Sequence, residues 1–421
     1  MKQLNSIIVN AIVFLCIMET GIHAQTRTQT TADKITAVRQ LSGNIINLSF
    51  DLYRGIGRTS GNCFFSPYSI SMGLSMLWYG ARGTTADEIA RVMHTTFTGD
   101  ELRTAYMSTA KVFDDSRDVF LQDTENKSVK ALRLLVANGY WVQKAYSLRK
   151  EYTDIVRNTF GAEVKNLDFI TAAEESRRTI NTWISDRTER MIENIIPQGA
   201  ITPATRLVLA NTVYFEAKWY LPFVSIATVD GAFHLFDGST VSVPMMHQPS
   251  WVRRYTDTSD WQAAELPYRD NSMVMLIIMP RPGRFEAVER SLSAEMLSSI
   301  DDSLRGVQLK ITFPKFKFTS PSLSLKRVLS DLGMKTAFVG EADFSGITSN
   351  RKLFLADVFH KASVTVNEEG TVAAASTVEE MLGGIPIPGM AFTVDRPFIF
   401  IIRDLKTRMV LFMGRMVDPS K

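Results

Sequence analysis

Apolar residues follow one another at alternating spacings of three and four along residues 33–52, and this spacing predicts an amphipathic helix. The apolar face is formed by Val38, Leu41, Ile45, Leu48 and Leu52. Because an α-helix turns every 3.6 residues, these side chains share one face, which is expected to pack on the core. Similar patterns predict helices near residues 86–93, 101–117 and 176–192.

The later part of the chain carries patterns typical of strands. In one segment, alternation with polar residues places on one face Val307, Leu309, Ile311 and Phe313. This period of two predicts a strand with one buried face. Segments 272–279 and 397–402 are apolar nearly throughout, which is typical of strands buried on both faces. Further strands are predicted at 135–142 and 207–215.

Composition favours one large domain. The 421 residues are 45% hydrophobic, enough to bury a sizeable core. No repeat, low-complexity block or Pro/Ser-rich linker divides the chain, so we predict an α+β fold in a single domain over residues 25–421. The net charge of +3 is too small to indicate nucleic acid as the main partner.

The first 24 residues predict a signal peptide. An apolar stretch over 7–18 follows Lys2, and Ile22-His23-Ala24 has the small-residue spacing that suits signal-peptidase cleavage. This stretch is shorter than the roughly 20 residues of a membrane-spanning helix, so a secreted, extracellular protein without a membrane anchor is expected. Cys16 lies within the signal, which leaves Cys63 without a disulfide partner.

Two short matches make the exported chain a candidate glycoprotein. Asn47-Leu48-Ser49 and Asn126-Lys127-Ser128 have the acceptor pattern for N-linked glycans. Both Asn47 and Asn126 are therefore candidate glycosylation sites.

The sequence lacks the common signatures of a secreted hydrolase. It contains no G-x-S-x-G, H-E-x-x-H or G-x-x-x-x-G-K-[ST] motif. His94, His234, His247 and His360 are far apart, without the paired spacing of metal ligands. A dispersed Ser-His-Asp triad is defined by geometry and not by spacing, but no motif points to one. We therefore expect a protein that is not an enzyme and uses neither a metal nor another cofactor.

One segment near the C-terminus departs from these patterns. Residues 368–393 read EEGTVAAASTVEEMLGGIPIPGMAFT, a run of small residues followed by glycines and prolines. It lies between strong strand patterns. Compact domains rarely contain so long a loop unless it is functional.

The C-terminal sequence FTVDRPFIFII at residues 392–402 resembles the signature of the serpin family at every comparable position. Other blocks resemble serpins in the same order along the chain: NCFFSPYSI at 62–70, YGARGTT at 79–85, NTVYF at 211–215, KW at 218–219, VPMM at 243–246 and ADFSGI at 342–347. The resemblance covers nearly the whole chain that follows the predicted signal.

This resemblance implies a serpin fold of three β-sheets with eight or nine helices and an exposed reactive-centre loop at about 368–393. It also implies an inhibitor of serine endopeptidases that acts as a suicide substrate. The protease would cleave the loop and be held as a covalent acyl-enzyme while the loop inserts into the main sheet. The implied partner is a serine endopeptidase, and the inhibitor itself is expected to be a monomer.

The resemblance also assigns roles to particular residues. Those implied to govern opening of the main sheet are Ser66, Ser69, Asn211 and His360, with Trp219 at the point where the loop first enters. The implied hinge of the loop comprises Glu368, Glu369, Gly370, Thr371, Ala373, Ala374 and Ala375. Residues 371–378 are all small or β-branched, without proline or charge, which suits a segment that must become a central strand.

The family spacing implies cleavage between Gly384 and Ile385. Glycine offers no side chain to a specificity pocket, so Met381, Leu382 and Gly383 remain alternatives. Met381 or Leu382 would suit a chymotrypsin-like or elastase-like enzyme, and the absence of Lys and Arg from 371–393 disfavours a trypsin-like one. The glycine at this position keeps open a non-inhibitory serpin that serves as a carrier, storage protein or chaperone.

Overall fold

The structure is a computed structural model. It describes residues 30–57, 61–117, 120–122, 128–130, 132–270, 272–349, 352–371 and 389–421.

The described residues contain nine α-helices. They are α1 Thr31–Ile56, α2 Pro67–Gly80, α3 Gly83–Val92, α4 Gly99–Arg117, α5 Lys150–Phe160, α6 Ala173–Arg187, α7 Phe285–Ser291, α8 Ala294–Ser303 and α9 Lys326–Asp331. Two short 3₁₀ helices lie at Ser225–Ala227 and Thr336–Phe338.

Eighteen strands lie in the same ranges. The first nine are β1 Cys63–Phe65, β2 Phe120–Gln122, β3 Ser128–Lys130, β4 Leu132–Gln143, β5 Glu163–Leu167, β6 Leu207–Lys218, β7 Val229–His234, β8 Thr240–Asp257 and β9 Trp261–Pro267. The others are β10 Met273–Pro280, β11 Arg305–Pro314, β12 Phe316–Thr319, β13 Leu323–Ser324, β14 Leu355–Val366, β15 Gly370–Thr371, β16 Met390–Thr393, β17 Phe398–Asp404 and β18 Val410–Met416.

These strands form three sheets. A nine-stranded sheet has the order β1-β18-β17-β10-β9-β8-β11-β16, with β7 paired to β8. A seven-stranded sheet has the order β12-β14-β15-β6-β4-β5, with β13 paired to β14, and β2 pairs with β3. The predicted α+β class with helices on several mixed sheets is confirmed.

Helix α1 forms where the apolar spacing predicts it. Its first turn is closed by a capping box, in which the Thr30 hydroxyl accepts from the Asp33 amide and the Asp33 carboxylate accepts from the Thr30 amide. All five residues of the predicted apolar face are buried. The predicted helices at 86–93 and 101–117 correspond to α3 and α4.

The helix predicted over 176–192 is too long. Helix α6 ends at Arg187, and the next turn is occupied by Glu189 and Arg190, whose φ angles are 51° and 64°. The Thr188 hydroxyl accepts a hydrogen bond from the Ile192 amide at 3.3 Å, which holds this turn away from the helix axis. Ile192 remains buried, so its apolar character reflects packing of the connection and not helical continuation.

The feature of the seven-stranded sheet that matters most is the contact between β6 and β14. These two strands pair in parallel, with residues 207–214 of β6 opposite 355–363 of β14. We call this parallel contact the seam. At one end of the seam, β15 lies between the two strands and pairs antiparallel with each of them.

Candidate functional site

The segment predicted as an exposed loop is a strand at each end. Gly370 and Thr371 form β15, where Thr371 is opposite Val366 of β14 and Ala217 of β6. At the far end, β16 pairs in parallel with β11. Residues 372–388 between them lie outside the described residues, and with them Ala373, Ala374, Ala375, Met381, Leu382, Gly383, Gly384 and Ile385.

Gly370 is required by the closeness of the neighbouring strand. A Cβ atom built on Gly370 would lie 2.1 Å from the carbonyl oxygen of Ala217 and 2.7 Å from the Cα of Lys218. Both are backbone atoms, which cannot turn aside as a flexible side chain could. Any side chain at position 370 would therefore push β15 out of its place beside β6.

Thr371 is completely buried where β15 enters the sheet. Its hydroxyl group is 2.9 Å from the hydroxyl of Tyr268. The Tyr268 ring stacks on the indole of Trp219, with centroids 4.6 Å apart and planes inclined by 9°. Thr371 thus occupies a closed pocket between β6 and β14, in which its hydroxyl group has a hydrogen-bond partner.

Trp219 contacts the residues that precede β15. Its backbone amide donates to the Glu369 carbonyl at 2.8 Å, and its indole Nε1 donates to the Asn367 carbonyl at 3.0 Å. The Asn367 side chain in turn accepts from the amides of Glu369 and Gly370, each at 3.1 Å. We call residues 367–371 the hinge segment. It is a tight turn whose backbone groups bond to Trp219 and to one another.

Glu368 anchors the outer side of this turn. Its carboxylate accepts from Lys315 Nζ at 2.9 Å and from the Thr228 hydroxyl at 2.9 Å, and its carbonyl accepts from the Phe223 amide at 2.7 Å. Burial is the largest influence on the Glu368 carboxyl and opposes its ionisation, but the hydrogen bonds from Lys315, Thr228 and its own amide, with the charge of Lys315, together lower its pKa. Glu368 is therefore ionised at neutral pH.

A second cluster of polar groups lies on the seam itself. His360 of β14 and Asn211 of β6 are direct partners in the parallel pairing, and His360 Nδ1 is 2.8 Å from Asn211 Oδ1. The Asn211 amide donates to the Ser69 carbonyl and to Asn138 Oδ1. The Ser66 hydroxyl caps helix α2 by accepting from the Ser69 amide at 3.1 Å.

The ring of His360 has a defined tautomer. The Ser66 amide donates to Nε2 at 3.1 Å, so Nε2 carries no proton and Nδ1–H donates to Asn211. Complete burial lowers the pKa of His360 to about 3. The imidazole is therefore neutral at physiological pH and joins helix α2 to both strands of the seam.

The sequence-predicted residues thus fall into two groups. Ser66, Ser69, Asn211 and His360 meet in one buried cluster, and Trp219 lies at the end of the seam against the hinge segment. Sequence reasoning missed four contributors, namely Asn138, Tyr268, Thr228 and Lys315. None of them belongs to a local motif. Asn138 lies in β4 and Tyr268 forms a bridge with Trp219, whereas Thr228 and Lys315 lie in connections between elements.

The two candidate glycosylation sites differ in how the structure describes them. Asn47 is exposed on helix α1, whereas Ser49 of the same acceptor sequence is buried and donates to the Ile45 carbonyl at 2.6 Å. Asn126 lies outside the described residues.

Cys63 is buried and unpaired, and burial raises the pKa of its thiol to about 12.

A parallel seam with a hinge turn docked at its end defines the class of protein. The family model described as serpin (serine protease inhibitor) matches residues 44–419. An uncharacterized serpin-like protein of Thermococcus kodakarensis is 40% identical, with 90% of this chain and 85% of the relative covered. The leukocyte elastase inhibitor of Xenopus tropicalis is 32% identical over 91% of this chain and 100% of the relative. The chain belongs to the serpin family.

Solved structures agree with this assignment. Human thyroxine-binding globulin complexed with its ligand is 26% identical, with a TM-score of 0.81 over 91% of this chain and 100% of that chain. A serpin of the insect Tenebrio molitor is 27% identical, with a TM-score of 0.76 over 93% of this chain and 99% of that chain.

Among the helices that the structure describes, none is long and apolar enough to cross a membrane.

Proposed function

We propose that this protein inhibits serine endopeptidases as a suicide substrate, by cleavage of the loop after β15 and insertion of that loop into the seam. The observation that carries the proposal is the docking of Gly370 and Thr371 between β6 and β14. These two residues run antiparallel to both neighbours. Residues that follow Thr371 can therefore extend β15 along the seam without a change of chain direction.

Extension of β15 has a definable structural requirement. The parallel pairs between residues 207–214 and 355–363 must break, and two antiparallel ladders must replace them. Neighbouring strands lie about 4.8 Å apart, so β6 and β14 must separate by about that distance. The new ladders supply more backbone hydrogen bonds than the single parallel contact, which favours the inserted state.

The sequence after Thr371 suits this change. Residues 372–378 are small or β-branched, and none carries a charge. A buried, unpaired charge in a central strand would cost several kcal/mol, and a proline would remove a ladder hydrogen bond. The first charged residue after the hinge is Glu379.

The covalent step follows the ordinary chemistry of a serine endopeptidase. The protease hydroxyl attacks the carbonyl carbon of the residue before the cut, the peptide bond breaks, and the new amino terminus leaves with the proton. The loop is then joined to the protease by an ester. Insertion before water reaches that ester moves the protease by about 45 Å for 14 inserted residues, and the trapped complex persists.

The target is proposed to be a chymotrypsin-like or elastase-like enzyme that cuts at Gly384 or at the alternatives Met381, Leu382 and Gly383. The name of the amphibian relative, leukocyte elastase inhibitor, supports this class. We also propose that residues 1–24 direct secretion, that the exported chain carries glycans at Asn47 or Asn126, and that it is a monomer.

A non-inhibitory role as a carrier, storage protein or chaperone is the second candidate. It draws on the likeness to thyroxine-binding globulin, a protein solved in complex with thyroxine. The small, uncharged sequence after Thr371 favours inhibition over this candidate. Complex formation with a protease separates the two.

The test is incubation of residues 25–421 with chymotrypsin, pancreatic elastase and trypsin, followed by denaturing electrophoresis and mass spectrometry of the released C-terminal peptide. We expect a covalent complex with chymotrypsin or elastase and none with trypsin. The peptide mass locates the scissile bond. Clean cleavage by every enzyme, without any complex, would contradict inhibition and favour the carrier role.

A further inference from the structure

A large cavity lies beside helix α7, away from the seam. It has a volume of about 1200 Å³ and is lined by the connection from β10 into α7, the turn after β7, residues 396–397 before β17 and Arg415 of β18. We call it the α7 cavity. None of its lining residues in the described part of the chain belongs to β6, β14 or β15. A ligand in this cavity therefore leaves the seam and the hinge segment untouched.

Aromatic and proline rings give the cavity an apolar floor. Phe236 and Phe285 both line it, with ring centroids 4.8 Å apart and planes inclined by 70°. Phe285 is buried, whereas 56% of Phe236 stays exposed. Pro280, Pro282 and Pro397 also line the cavity. These rings offer flat apolar surfaces on which the aromatic body of a ligand can pack.

The turn that forms one wall is fixed by its own backbone. Gly283 has a φ angle of 74°, which a residue with a side chain rarely adopts. The Arg281 amide donates to the Asp260 carbonyl at 2.8 Å, and the Arg284 amide donates to the Arg281 carbonyl at 2.9 Å. Because the prolines of this turn also have fixed φ angles, the wall is formed before any ligand arrives.

The arginines of the cavity outnumber its carboxylates. Among the described residues of the lining, two are glutamates, Glu286 and Glu289, and five are arginines, namely Arg281, Arg284, Arg290, Arg396 and Arg415. Glu289 accepts from Arg415 Nη1 at 2.5 Å and from the Tyr53 hydroxyl at 2.7 Å. Since Glu289 and Arg415 form an ion pair, the other four arginines and Glu286 set the charge that a ligand meets.

Aspartates hold three of these arginines in place. The pairs are Arg281 with Asp257, Arg284 with Asp260 at 2.7 Å, and Arg396 with Asp395 at 2.8 Å. None of the three aspartates is among the described residues that line the cavity. A guanidinium has five N–H groups, so an arginine held by one carboxylate keeps donors for a ligand anion.

Arg290 adds a positive charge at the exposed part of the lining. It lies in the last turn of α7, is exposed and forms no ion pair within the ranges that the structure describes. Because it is exposed, it can turn toward an anion that enters the cavity.

The combination of floor and charge indicates the class of ligand. Guanidinium groups bind carboxylates and sulfonates through charge-assisted hydrogen bonds, and they also stack on aromatic rings. A hydrophilic polyanion would gain nothing from the phenylalanine and proline floor. Pockets for small ligands usually measure about 300–1,000 Å³, so the cavity is large enough for a molecule with several rings.

We propose that the α7 cavity is a binding site for an organic anion with an aromatic body, which packs on Phe236 while its acidic group is bound by the surrounding arginines. This inference goes beyond the proposed inhibition and does not depend on it, since the cavity is separate from the seam.

The test uses 1-anilinonaphthalene-8-sulfonate as the anionic probe and N-phenyl-1-naphthylamine as its uncharged counterpart, which lacks only the sulfonate. Fluorescence titration of the folded, full-length secreted protein gives the dissociation constant for each probe. We expect the anionic probe to bind at least about tenfold more tightly than the uncharged one, because charge-assisted hydrogen bonds to arginine are lost without the sulfonate.

Variants place the probe in the cavity. Phe236→Ser should weaken binding of the anionic probe about tenfold through loss of the aromatic contact, and Arg290→Gln about fivefold through loss of charge. The matched controls are Trp251→Ser, an aromatic residue that is 44% exposed, and Arg39→Gln, an exposed arginine of α1. Neither residue lines the cavity, so both controls should bind the probe as the unmodified protein does. Thermal unfolding of each variant confirms that it is folded.

Three outcomes would overturn the proposal. Equal dissociation constants for the two probes would show that the site does not select an anion. An unchanged dissociation constant in both Phe236→Ser and Arg290→Gln would place the probe outside the cavity. Equal weakening by Trp251→Ser and Phe236→Ser would mean that the probe binds exposed aromatic surface in general.

Discussion

His360 Nδ1 donates to Asn211 Oδ1 across 2.8 Å, and the two residues are direct partners in the parallel pairing of β14 with β6. This hydrogen bond therefore crosses the one contact that must open for β15 to lengthen. Because His360 also accepts from the Ser66 amide, separation of the strands strains the contact with helix α2 as well. In the proposed mechanism, this bond contributes to the barrier that the strands must cross before the loop can insert.

The neutral state of His360 predicts a pH dependence. The pKa is about 3 in the folded chain and 6.5 ordinarily, so between roughly pH 6.5 and 3 the unfolded chain binds a proton that the folded chain does not. The free energy of unfolding is fully retained above pH 6.5 and falls below it, by up to about 1.4 kcal/mol per pH unit. The unfolding rate of the unmodified protein in urea should therefore rise steeply as the pH is lowered from 7.5 to 4.5.

The matched variant for this measurement is His360→Gln, which removes the titrating group and keeps a side chain able to form hydrogen bonds. It is expected to be less stable at pH 7.5 but to lose less stability on acidification. The same acid sensitivity in both proteins would mean that other groups, such as the partly buried His247, control the effect.

Gly370→Ala should displace the hinge segment from the seam. The added methyl group would collide with the Ala217 carbonyl, so β15 cannot keep its pairing with β6. We expect slower insertion and more cleaved, unbound inhibitor, seen as a several-fold rise in the stoichiometry of inhibition. Gly340→Ala is the control, since nothing lies within 4 Å of a Cβ at that position. A normal stoichiometry for Gly370→Ala would contradict the docking of β15.

Thr371→Arg should convert the inhibitor into a substrate. Thr371 is fully buried against Tyr268, and a guanidinium there would have to be desolvated without a counter-ion. Thr371→Val keeps the shape of the side chain and loses only the hydroxyl contact with Tyr268. The free energy of unfolding should fall by about 1 kcal/mol, and the variant should still inhibit the protease. Gel assays of complex against cleaved protein distinguish the two variants. Full inhibition by Thr371→Arg would show that this position does not enter the sheet.

Thiol titration tests the state of the N-terminus together with the burial of Cys63. Desolvation raises the pKa of Cys63 to about 12, so the native protein should not react with a disulfide reagent at pH 8. In denaturant, one thiol per chain of the secreted protein should react with the reagent, and this thiol is that of Cys63. Two equivalents would mean that Cys16 is retained and that the predicted signal is not removed.

Sequence periodicity predicted the elements whose burial is regular along the chain. Helix α1 and strand β11 have one continuous apolar face, so spacing alone located them. The end of α6 was missed because Ile192 continues the apolar pattern while the backbone turns away at Glu189 and Arg190.

The site was predictable only where the family resemblance supplied it. His360 and Asn211 are 149 residues apart, and nothing local to either indicates that they pair. Tyr268 and Asn138 were missed for the same reason, because their roles depend on the register of strands distant in sequence. The sequence pattern also did not predict that Thr371 pairs with two strands, because the small residues from 368 onward indicated a loop.

The central claim is that the loop after Thr371 inserts into the seam, and thermal unfolding of the loop-cleaved protein tests it most directly. The loop is nicked with any protease that cuts within 372–388, and intact and nicked protein are heated under identical conditions. The account predicts that cleavage raises the unfolding temperature by tens of degrees, because β15 lengthens into a full central strand. An unchanged or lower unfolding temperature, with the cleavage confirmed by mass spectrometry, would contradict it.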